Sequence, residues 1–565
     1  MQQRSYNIRE RLARPIATDV AFAAFFIIAF ALYLPAARAG FVADFTGWLD
    51  QTIRYGFWDN INRTHYNVKS LYQFTQLNTW LFYQVAGTHP WPWHVLFVAL
   101  HAINCALLYR LCMRLLAHSA VKSASVIALT GALLYCITPY AGEVIVWEPS
   151  FHYLQGMLLI LLILNWVQEY MHTYKTRYII YTAIAFLLST FSLEIFYITP
   201  WLVLSMGIFY RLNDSFDKKV LQKVTTNIFL PQIGLFLLHL VLFRLYYGTW
   251  LAHIGNGAVN NILQDGMGKP AKHLFHTVLL GRFWSEEWRN KIYHLLDSRT
   301  AIIVFYSLIA IVGYFIISRF RRMQGKARVL SLLFVWMLIC LALLVPIWFG
   351  DLMLIVYDRY TYFVNAFVYM MLVLLASLIS VAGIRIVLVA LYALANLRFT
   401  VQVSRYWMKS ARIIDALMDT FPYTTNKKVV LLNIPQTMHG AAMIGAEQES
   451  EFKMLYNGLH PDKVIKAPVY DGMAYNIVTP EDGAHVTVQN DSTVRVTLNQ
   501  WGTWWWYAMR GGQSYTNEEY TIKILDGGLS YDITLKHPSA DYLLLYQAGE
   551  QWKAVDMNKK NTDQF

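Results

Sequence analysis

Runs of about twenty apolar residues recur along the first 406 positions, and a bilayer core of about 30 Å needs roughly 20 such residues per helix. Eleven windows are legible, at about 18–38, 92–116, 124–141, 151–170, 178–194, 196–211, 227–247, 300–318, 329–348, 361–382 and 386–405. The fifth and sixth are separated only by a tight hairpin around Glu194. The first ends in Ala31-Leu-Tyr-Leu-Pro-Ala-Ala-Arg-Ala39, which looks like a cleavage site, but its apolar stretch is long for a signal peptide and it reads as a retained helix. Charged residues make up 15% of the chain and hydrophobic ones 56%, against about a quarter charged in an average soluble chain. An ordinary soluble protein, a disordered chain and a disulfide-stapled secreted scaffold are all excluded. The four cysteines (Cys105, Cys112, Cys136, Cys340) lie in apolar runs and form no disulfide framework.

Orientation follows from Lys and Arg in the short loops. The arm before the first window (Arg4, Arg9, Arg11, Arg14) and the loops at 110–122, 171–178, 211–223, 319–328 and 385 hold 19 of the 33 basic residues before position 407, whereas the loops at 141–150 and 194–200 hold none. That asymmetry predicts a cytoplasmic N-terminus. With eleven spans, the C-terminal segment and two long loops, 39–91 and 248–299, then lie on the opposite face. Both loops mix aromatic and polar residues, Trp48, Trp58, Tyr66 and Tyr72 in the first, Trp284 and Trp288 beside Arg282, Arg289 and Lys291 in the second. Short amphipathic helices in the interface plane suit that pattern, and aromatic belts at the headgroups account for many of the rings.

From about residue 407 the texture changes. Segments 429–434, 485–488, 493–498, 520–525, 531–535 and 542–546 are strand-like runs separated by Gly, Asn and Asp turns, with a helix at about 405–420 joining them to the last span. Residues 407–565 carry 14 basic and 18 acidic side chains, so the overall charge of +12 is +16 on residues 1–406 and −4 on a β-rich extracytoplasmic domain. The positive charge is a topology signal; no nucleic-acid motif, P-loop, GxGxxG or Cys/His zinc spacing accompanies it.

Ionisable groups at membrane boundaries are costly and point to function. The outer ends of the windows collect Asp44, Glu143, Glu148, Glu194, Arg244, Asp351, Asp358 and Arg359. Carboxylates and arginines gathered on one face suit a site that holds a lipid phosphate while a carboxylate takes a proton from an attacking hydroxyl. Structural alternatives stand beside each: a solvated loop carboxylate for Asp44, a helix-end carboxylate for Glu143, a pair with Arg359 for Glu194, and a salt bridge to Asp358 or another outer carboxylate for Arg359. His94 and His101 share one helical face, where interhelical hydrogen bonding is commoner than metal binding. The aromatic run Trp501 to Tyr507 offers faces for sugar stacking or for a sheet core.

The stretch Gln76 to His94, followed by His101-Ala-Ile-Asn104, resembles the second-helix region of the protein O-mannosyltransferase and transmembrane O-mannosyltransferase-like (TMTC-like) branch of the GT-C glycosyltransferases. Tyr135-Cys-Ile-Thr-Pro-Tyr-Ala-Gly-Glu143-Val-Ile-Val-Trp147 resembles that branch's HPxxxEAVAW pattern, Leu188-Ser-Thr-Phe-Ser-Leu-Glu194 its SxxSKE segment, and Tyr357-Asp-Arg359-Tyr-Thr-Tyr362 its ERxxYxP segment. The likeness covers roughly residues 20–385. It implies a GT-C-like fold, here a polytopic α-helical membrane protein of about 11 transmembrane helices (1–406) with a small β-rich C-terminal domain (407–565). It also implies an inverting transfer of a sugar from a polyprenyl-phosphate carrier to an extracytoplasmic hydroxyl of a glycan, lipid or protein, in the plasma (inner) membrane of the cell envelope. Asp44 would be the catalytic base and Glu143 a second catalytic carboxylate, with Arg359 at the carrier phosphate. Glu194, Tyr362 and His94 would support the cavity, and Arg244 joins the phosphate set from topology. No metal or other cofactor is indicated. The departures are Ala43-Asp44-Phe45 where relatives carry two adjacent acids, Leu193 in place of the SKE lysine, and Phe363-Val-Asn where the last pattern expects proline.

Three other functions compete. A glycolipid transporter or flippase predicts ionisable residues near the midplane and inverted repeats with broken helices. An O-antigen ligase or polymerase predicts a pyrophosphate-linked donor and a catalytic His or Arg in a long outer loop, where His253, His273 and His276 lie. A catalytically dead scaffold is the third.

Overall fold

The computed structural model describes residues 17–39, 41–42, 48–62, 71–212, 219–250, 262, 266–323, 325–346, 358–446, 450–479, 481–498, 505, 512–525 and 528–564. All eleven apolar windows are helical: α1 (Thr18–Tyr33), α2 (Pro90–His118), α3 (Ala124–Cys136), α4 (Phe151–Thr173), α5 (Thr176–Thr190), α6 (Thr199–Leu212), α7 (Leu230–Tyr247), α8 (Arg299–Arg319), α9 (Lys326–Ala342), α10 (Tyr362–Ala376) and α11 (Ala382–Asp419). Among the described residues, seven of these regions are long and apolar enough to cross a membrane, or eight if the bent pair containing α3 is one span. The remaining three, α5, α6 and α9, have 15, 14 and 17 residues.

Lipid is the solvent this arrangement requires. None of the 21 residues of α8 is buried, and Ile303, Ile311 and Ile317 are more than 60% exposed. Soluble monomers rarely expose apolar patches of more than a few hundred Å², so an apolar helix bare on every side belongs in a bilayer. At the centre of the bundle α2 and α4 are mostly buried. Their polar residues bond across the seam: Asn104 Nδ2 to the Leu154 carbonyl at 3.1 Å, Asn165 Nδ2 to Leu107 at 3.2 Å and Gln168 Nε2 to Leu111 at 3.3 Å. In lipid such bonds, with close side-chain packing, hold helices together where the hydrophobic effect no longer discriminates.

One span is broken. The helix of α3 stops at Cys136 and resumes, bent by 53°, over Pro139–Val146. Thr138 is extended, and Pro139 has no N–H to continue the ladder. The break is held by the Tyr33 hydroxyl donating to the Thr138 carbonyl at 3.1 Å and by a 2.7 Å bond between Thr138 Oγ1 and the Tyr369 hydroxyl. Past it, a Cβ on Gly142 would sit 2.7 Å from Val403 Cγ1, so glycine is what lets α11 cross here.

The 38-residue α11 is about 57 Å long. Its first half presents Ile384, Val387, Leu391 and Leu394 outward, and its second half buries Trp407, Ile414 and Leu417. The expected boundary at 406/407 therefore falls inside one continuous helix. The two long loops do form short helices: Trp48–Arg54, Phe57–Asn62 and Gln73–Ala86 in the first, Lys269–Leu279 and Glu286–Asp297 in the second.

All six expected strand runs are found in the C-terminal region, with the added surprise of parallel pairing. β1 (Lys428–Met438) is flanked in parallel by β3 (Val469–Ile477) and β9 (Tyr542–Ala548), with helix Glu451–Leu459 crossing between β1 and β3. Strand β2 (Ala441–Ala442) pairs with the end of β1, and β10 (Gln551–Ala554) pairs antiparallel with β9. A second, antiparallel sheet runs β4 (Ala484–Val488), β5 (Thr493–Leu498), β8 (Ser530–Leu535), β7 (Tyr520–Ile524) and β6 (Tyr515–Thr516). β3 escaped the sequence reading because Gly472 and two polar residues interrupt its apolar pattern.

Tyrosines join the sheets. Tyr520 donates to the Asp471 carbonyl at 2.6 Å, Tyr515 to Gly472 at 2.9 Å, and Tyr531 to Leu432. A Cβ on Gly472 would lie 2.8 Å from the Leu431 carbonyl and 3.2 Å from the Tyr531 hydroxyl, so the bare backbone is required where the layers meet. Glu519 closes the same seam, accepting from Lys428 Nζ at 2.8 Å, Tyr542 at 2.7 Å and Tyr470 at 3.1 Å. Burial alone would push this carboxyl up; the three donors outweigh it and hold Glu519 below its ordinary value. Tyr531→Phe is expected to cost about 1–3 kcal/mol by leaving a buried carbonyl unpaired. Thermal unfolding of the full-length protein, followed by near-UV circular dichroism, checks this.

Candidate active site

The bend at Pro139 turns the chain so that the short helix Gly142–Val146 presents Glu143 at one end of the bundle. Glu143 is 3% exposed and carries two bonds from one residue: the Arg359 backbone N–H donates to Oε2 at 2.7 Å, and the Arg359 guanidinium pairs with Oε1. Arg359 sits in the turn Asp358–Thr361, which Thr361 Oγ1 closes by donating to the Asp358 carbonyl at 2.7 Å. The guanidinium also lies 4.9 Å from the centre of the Trp147 ring and 5.0 Å from that of Tyr360. Of the two bridges considered above, to Asp358 or to another outer carboxylate, Arg359 forms the second. Asp358 pairs instead with Arg282, both side chains 4% exposed, and Arg282 reaches on to the His439 carbonyl at 2.7 Å. One end of the helices thus holds two crossed ion pairs, Glu143–Arg359 and Arg282–Asp358, with the C-terminal domain against them.

Glu194 belongs to the same end. The Tyr72 hydroxyl donates to its two carboxylate oxygens, each at 2.8 Å. Burial, and then the Glu194 charge, push Tyr72 well above its ordinary value, so it remains a donor. Tyr72 stacks on His152 at 5.5 Å, His152 lies 4.6 Å from Tyr153, and Tyr153 meets Tyr360 edge-on at 6.0 Å. This row of rings connects Glu194 to the Glu143–Arg359 pair. Tyr153 feels the charges of Arg359, Glu194 and Glu143 together.

A small cleft is walled by Phe41, Trp93, His94, Val146 and Glu148. His94 is 5% exposed, its Nε2 has no hydrogen-bond partner among the described residues, and its ring lies 6.2 Å from Trp91. The chain leaves this wall at Val42 and enters 43–47, so Asp44 lies outside the described residues, as do Asp351, His253, Trp501, Trp504 and Trp506.

The other expected residues are elsewhere. Arg244 donates to the Gly248 carbonyl at the end of its own helix, with its guanidinium 5.7 Å from the Trp250 ring. Tyr362 is fully buried with its hydroxyl 2.8 Å from His101 Nδ1 and 3.2 Å from Asn104 Nδ2. Trp505 packs edge-on against Tyr531 at 4.9 Å, in the sheet core. Arg282, Tyr72, His152 and Tyr153 were missed as site residues, because their partners lie scores of positions away and no local spacing marks them.

His273 and His276 are buried in the helix Lys269–Leu279, where Lys272 Nζ bonds Asp297 at 2.5 Å and the His276 ring stacks 5.6 Å from Tyr293. Burial, then Lys269 and Lys272, push His273 down to about 3. Burial, then His273 and Arg282, hold His276 well below its usual value. At the far end of the bundle Arg110 and Arg114 converge on Glu169 at 2.8 and 2.7 Å. That end carries the basic loops from which orientation was read.

No family model matches the sequence, and no curated protein matches it. Among solved structures, the crystal structure of the Archaeoglobus fulgidus oligosaccharyltransferase in its apo form is similar to this chain, at 12% identity over 87% of this chain and 75% of that one, with a TM-score of 0.37. The functional reading therefore rests on this chain's own residues and geometry.

Breaking a buried pair strands a charge, so Asp358→Asn should cost about 3–5 kcal/mol. Lys291→Ala, which removes an exposed pair with Glu287 at 2.5 Å, should cost no more than about 1 kcal/mol. Thermal-shift measurements on the purified protein compare the two. The depressed histidines bind fewer protons folded than unfolded, so their contribution is complete above the unfolded value of about 6.5 and is lost as the pH falls below it. His273→Gln is expected to flatten the decline in melting temperature between neutral pH and about pH 4.5.

Proposed function

We propose that this protein is an integral-membrane glycosyltransferase that moves a sugar, with inversion, from a polyprenyl-phosphate carrier to a hydroxyl group on the extracytoplasmic side. The observation that carries the reading is the meeting, at one end of an apolar bundle, of residues far apart in sequence. Glu143, Glu194 and Arg359 come from three of the four segments that resemble GT-C enzymes, and His94, from the fourth, lines a cleft whose wall includes Phe41, three positions before Asp44 in the sequence.

In this reading Asp44 accepts the proton of the acceptor hydroxyl as its oxygen attacks C1 of the sugar. The C1–O bond to the carrier breaks, and polyprenyl phosphate leaves with the electron pair. Arg359 supplies positive charge to the departing phosphate, with Glu143 fixing the guanidinium in position rather than acting as a second base. Arg244, at the end of α7, would meet the carrier from the membrane side. His94 would face the sugar or acceptor in the cleft, while Glu194, held by Tyr72, adds to the charge gathered at this end. The acceptor is a glycan, lipid or protein, and the carrier's isoprenoid chain would lie against the exposed apolar helices. The broken span is what a transporter reading asks for, but its short arm delivers Glu143 to the end of the bundle. The ligase reading loses ground because His273 and His276 are buried.

The test is transfer in vitro by the purified protein from a panel of polyprenyl-phosphate sugars. Asp44→Asn should lower turnover by about 10²–10⁴-fold, and Arg359→Ala should lower it with a weaker apparent donor affinity. Undiminished turnover in Asp44→Asn removes the proposed base. Transfer only from pyrophosphate-linked donors would replace this reading with the ligase or polymerase one.

A further inference from the structure

The interior of the bundle contains a second concentration of chemistry, one helical stretch away from the ion pairs and unused by the proposed transfer. His101 and Cys105 project from successive turns of α2, and Cys136 is the last residue of α3 before the break. All three are fully buried, and one donor atom from each lies within 4.8 Å of the others. Cys105 Sγ is 3.8 Å from His101 Nε2. A tetrahedral zinc, with Zn–S bonds of about 2.3 Å and Zn–N of about 2.0–2.1 Å, sets its donors roughly 3.5–3.8 Å apart. We propose that His101, Cys105 and Cys136 bind one thiophilic divalent cation, Zn(II) by its preference for two sulfurs and an imidazole.

Charge selects the valence. Two thiolates, one neutral imidazole and a divalent ion sum to zero, the one net charge an apolar interior accepts without penalty; a monovalent ion would leave a buried anion. Binding releases the two thiol protons to solvent as the site assembles. The imidazole stays neutral. His101 Nε2 now lies 3.2 Å from the Cys136 carbonyl and Nδ1 2.8 Å from the Tyr362 hydroxyl. For Nε2 to take the metal, the ring proton moves to Nδ1 and is donated to the Tyr362 oxygen, which has lone pairs enough to receive it alongside Asn104 Nδ2. That contact is the outer hydrogen bond that metal-bound histidines require. The other two cysteines provide the contrast: Cys112 and Cys340 are buried too, but join no such group among the described residues.

The site would have a positioning role. It would tie α2 to the end of α3, immediately before the bend that delivers Glu143, and through Tyr362 it would reach the helix that follows Arg359. It stands independently of the transferase reading, since its test does not use activity.

The experiment is elemental analysis of the purified full-length protein in detergent after dialysis against a chelator, with Co(II) substitution as the spectroscopic probe. Wild type should retain one zinc per chain, and the cobalt form should show thiolate-to-metal charge-transfer absorption in the near ultraviolet. Cys105→Ser and Cys136→Ser should lose the metal and the band, the double variant Cys112→Ser/Cys340→Ser should keep both, and Tyr362→Phe should weaken affinity about 10–100-fold. Folding failure in a variant does not protect the idea, because wild type is decisive alone. Metal-free wild type that gives no cobalt–thiolate band overturns it, and so does an intact mass two hydrogens light with Cys105 and Cys136 linked as a disulfide.

Discussion

Pro139 cannot donate a backbone hydrogen bond, and much of the candidate site depends on that. A helix running straight on from α3 would carry Glu143 along the same axis. The missing N–H and the extended Thr138 before it turn the chain by 53° and aim Glu143 at the turn that precedes α10. A broken helix inside lipid leaves backbone groups to satisfy. Here two tyrosines from α1 and α10 take up Thr138, so the break is buried in protein and paired.

Once Glu143 is in place, burial makes its pairing compulsory. Each charge taken from water costs several kcal/mol unless a partner offsets it, and four nearly buried charges at this end are matched as two pairs: Glu143 with Arg359, Asp358 with Arg282. The pairing has a geometric result. Adjacent residues 358 and 359 are pulled in different directions, one toward α3's short arm and the other toward the second long loop and the C-terminal domain. The turn is pinned from both sides, and a guanidinium so fixed meets an anionic leaving group with little reorganisation, the condition under which electrostatic stabilisation is most effective.

The helices were legible because twenty apolar residues in a row have one stable conformation in lipid. The strands of the antiparallel sheet were legible because one face is buried and the other wet, as where buried Val494, Val496 and Leu498 alternate with half-buried Thr493, Arg495 and Thr497. The parallel partner of β1, β3, was not, since Gly472 and the polar Asp471 and Asn476 interrupt its apolar run, and Gly472 reads locally as a turn when it serves a close approach between sheets. Charged residues at the ends of helices pointed to Glu143, Glu194, Asp358 and Arg359. Its pairings stayed hidden: Arg359 had Asp358 beside it in sequence and a physically sensible bridge to form, yet bonds a carboxylate 216 positions away.

By itself the sequence determined that this chain lives in a bilayer, which segments form its apolar helices, which end collects the basic loops, and which acidic and basic residues sit at helix ends. Those properties follow from hydrophobicity and charge summed over short stretches. Only the tertiary structure decided that Glu143 takes Arg359 while Arg282 takes Asp358, that Tyr72 holds Glu194, and that His101, Cys105 and Cys136 meet. Partner choice among buried polar groups depends on distances of a few ångströms between helices, set by how a bend, the close approach at Gly142 and the interhelical packing bring the spans together.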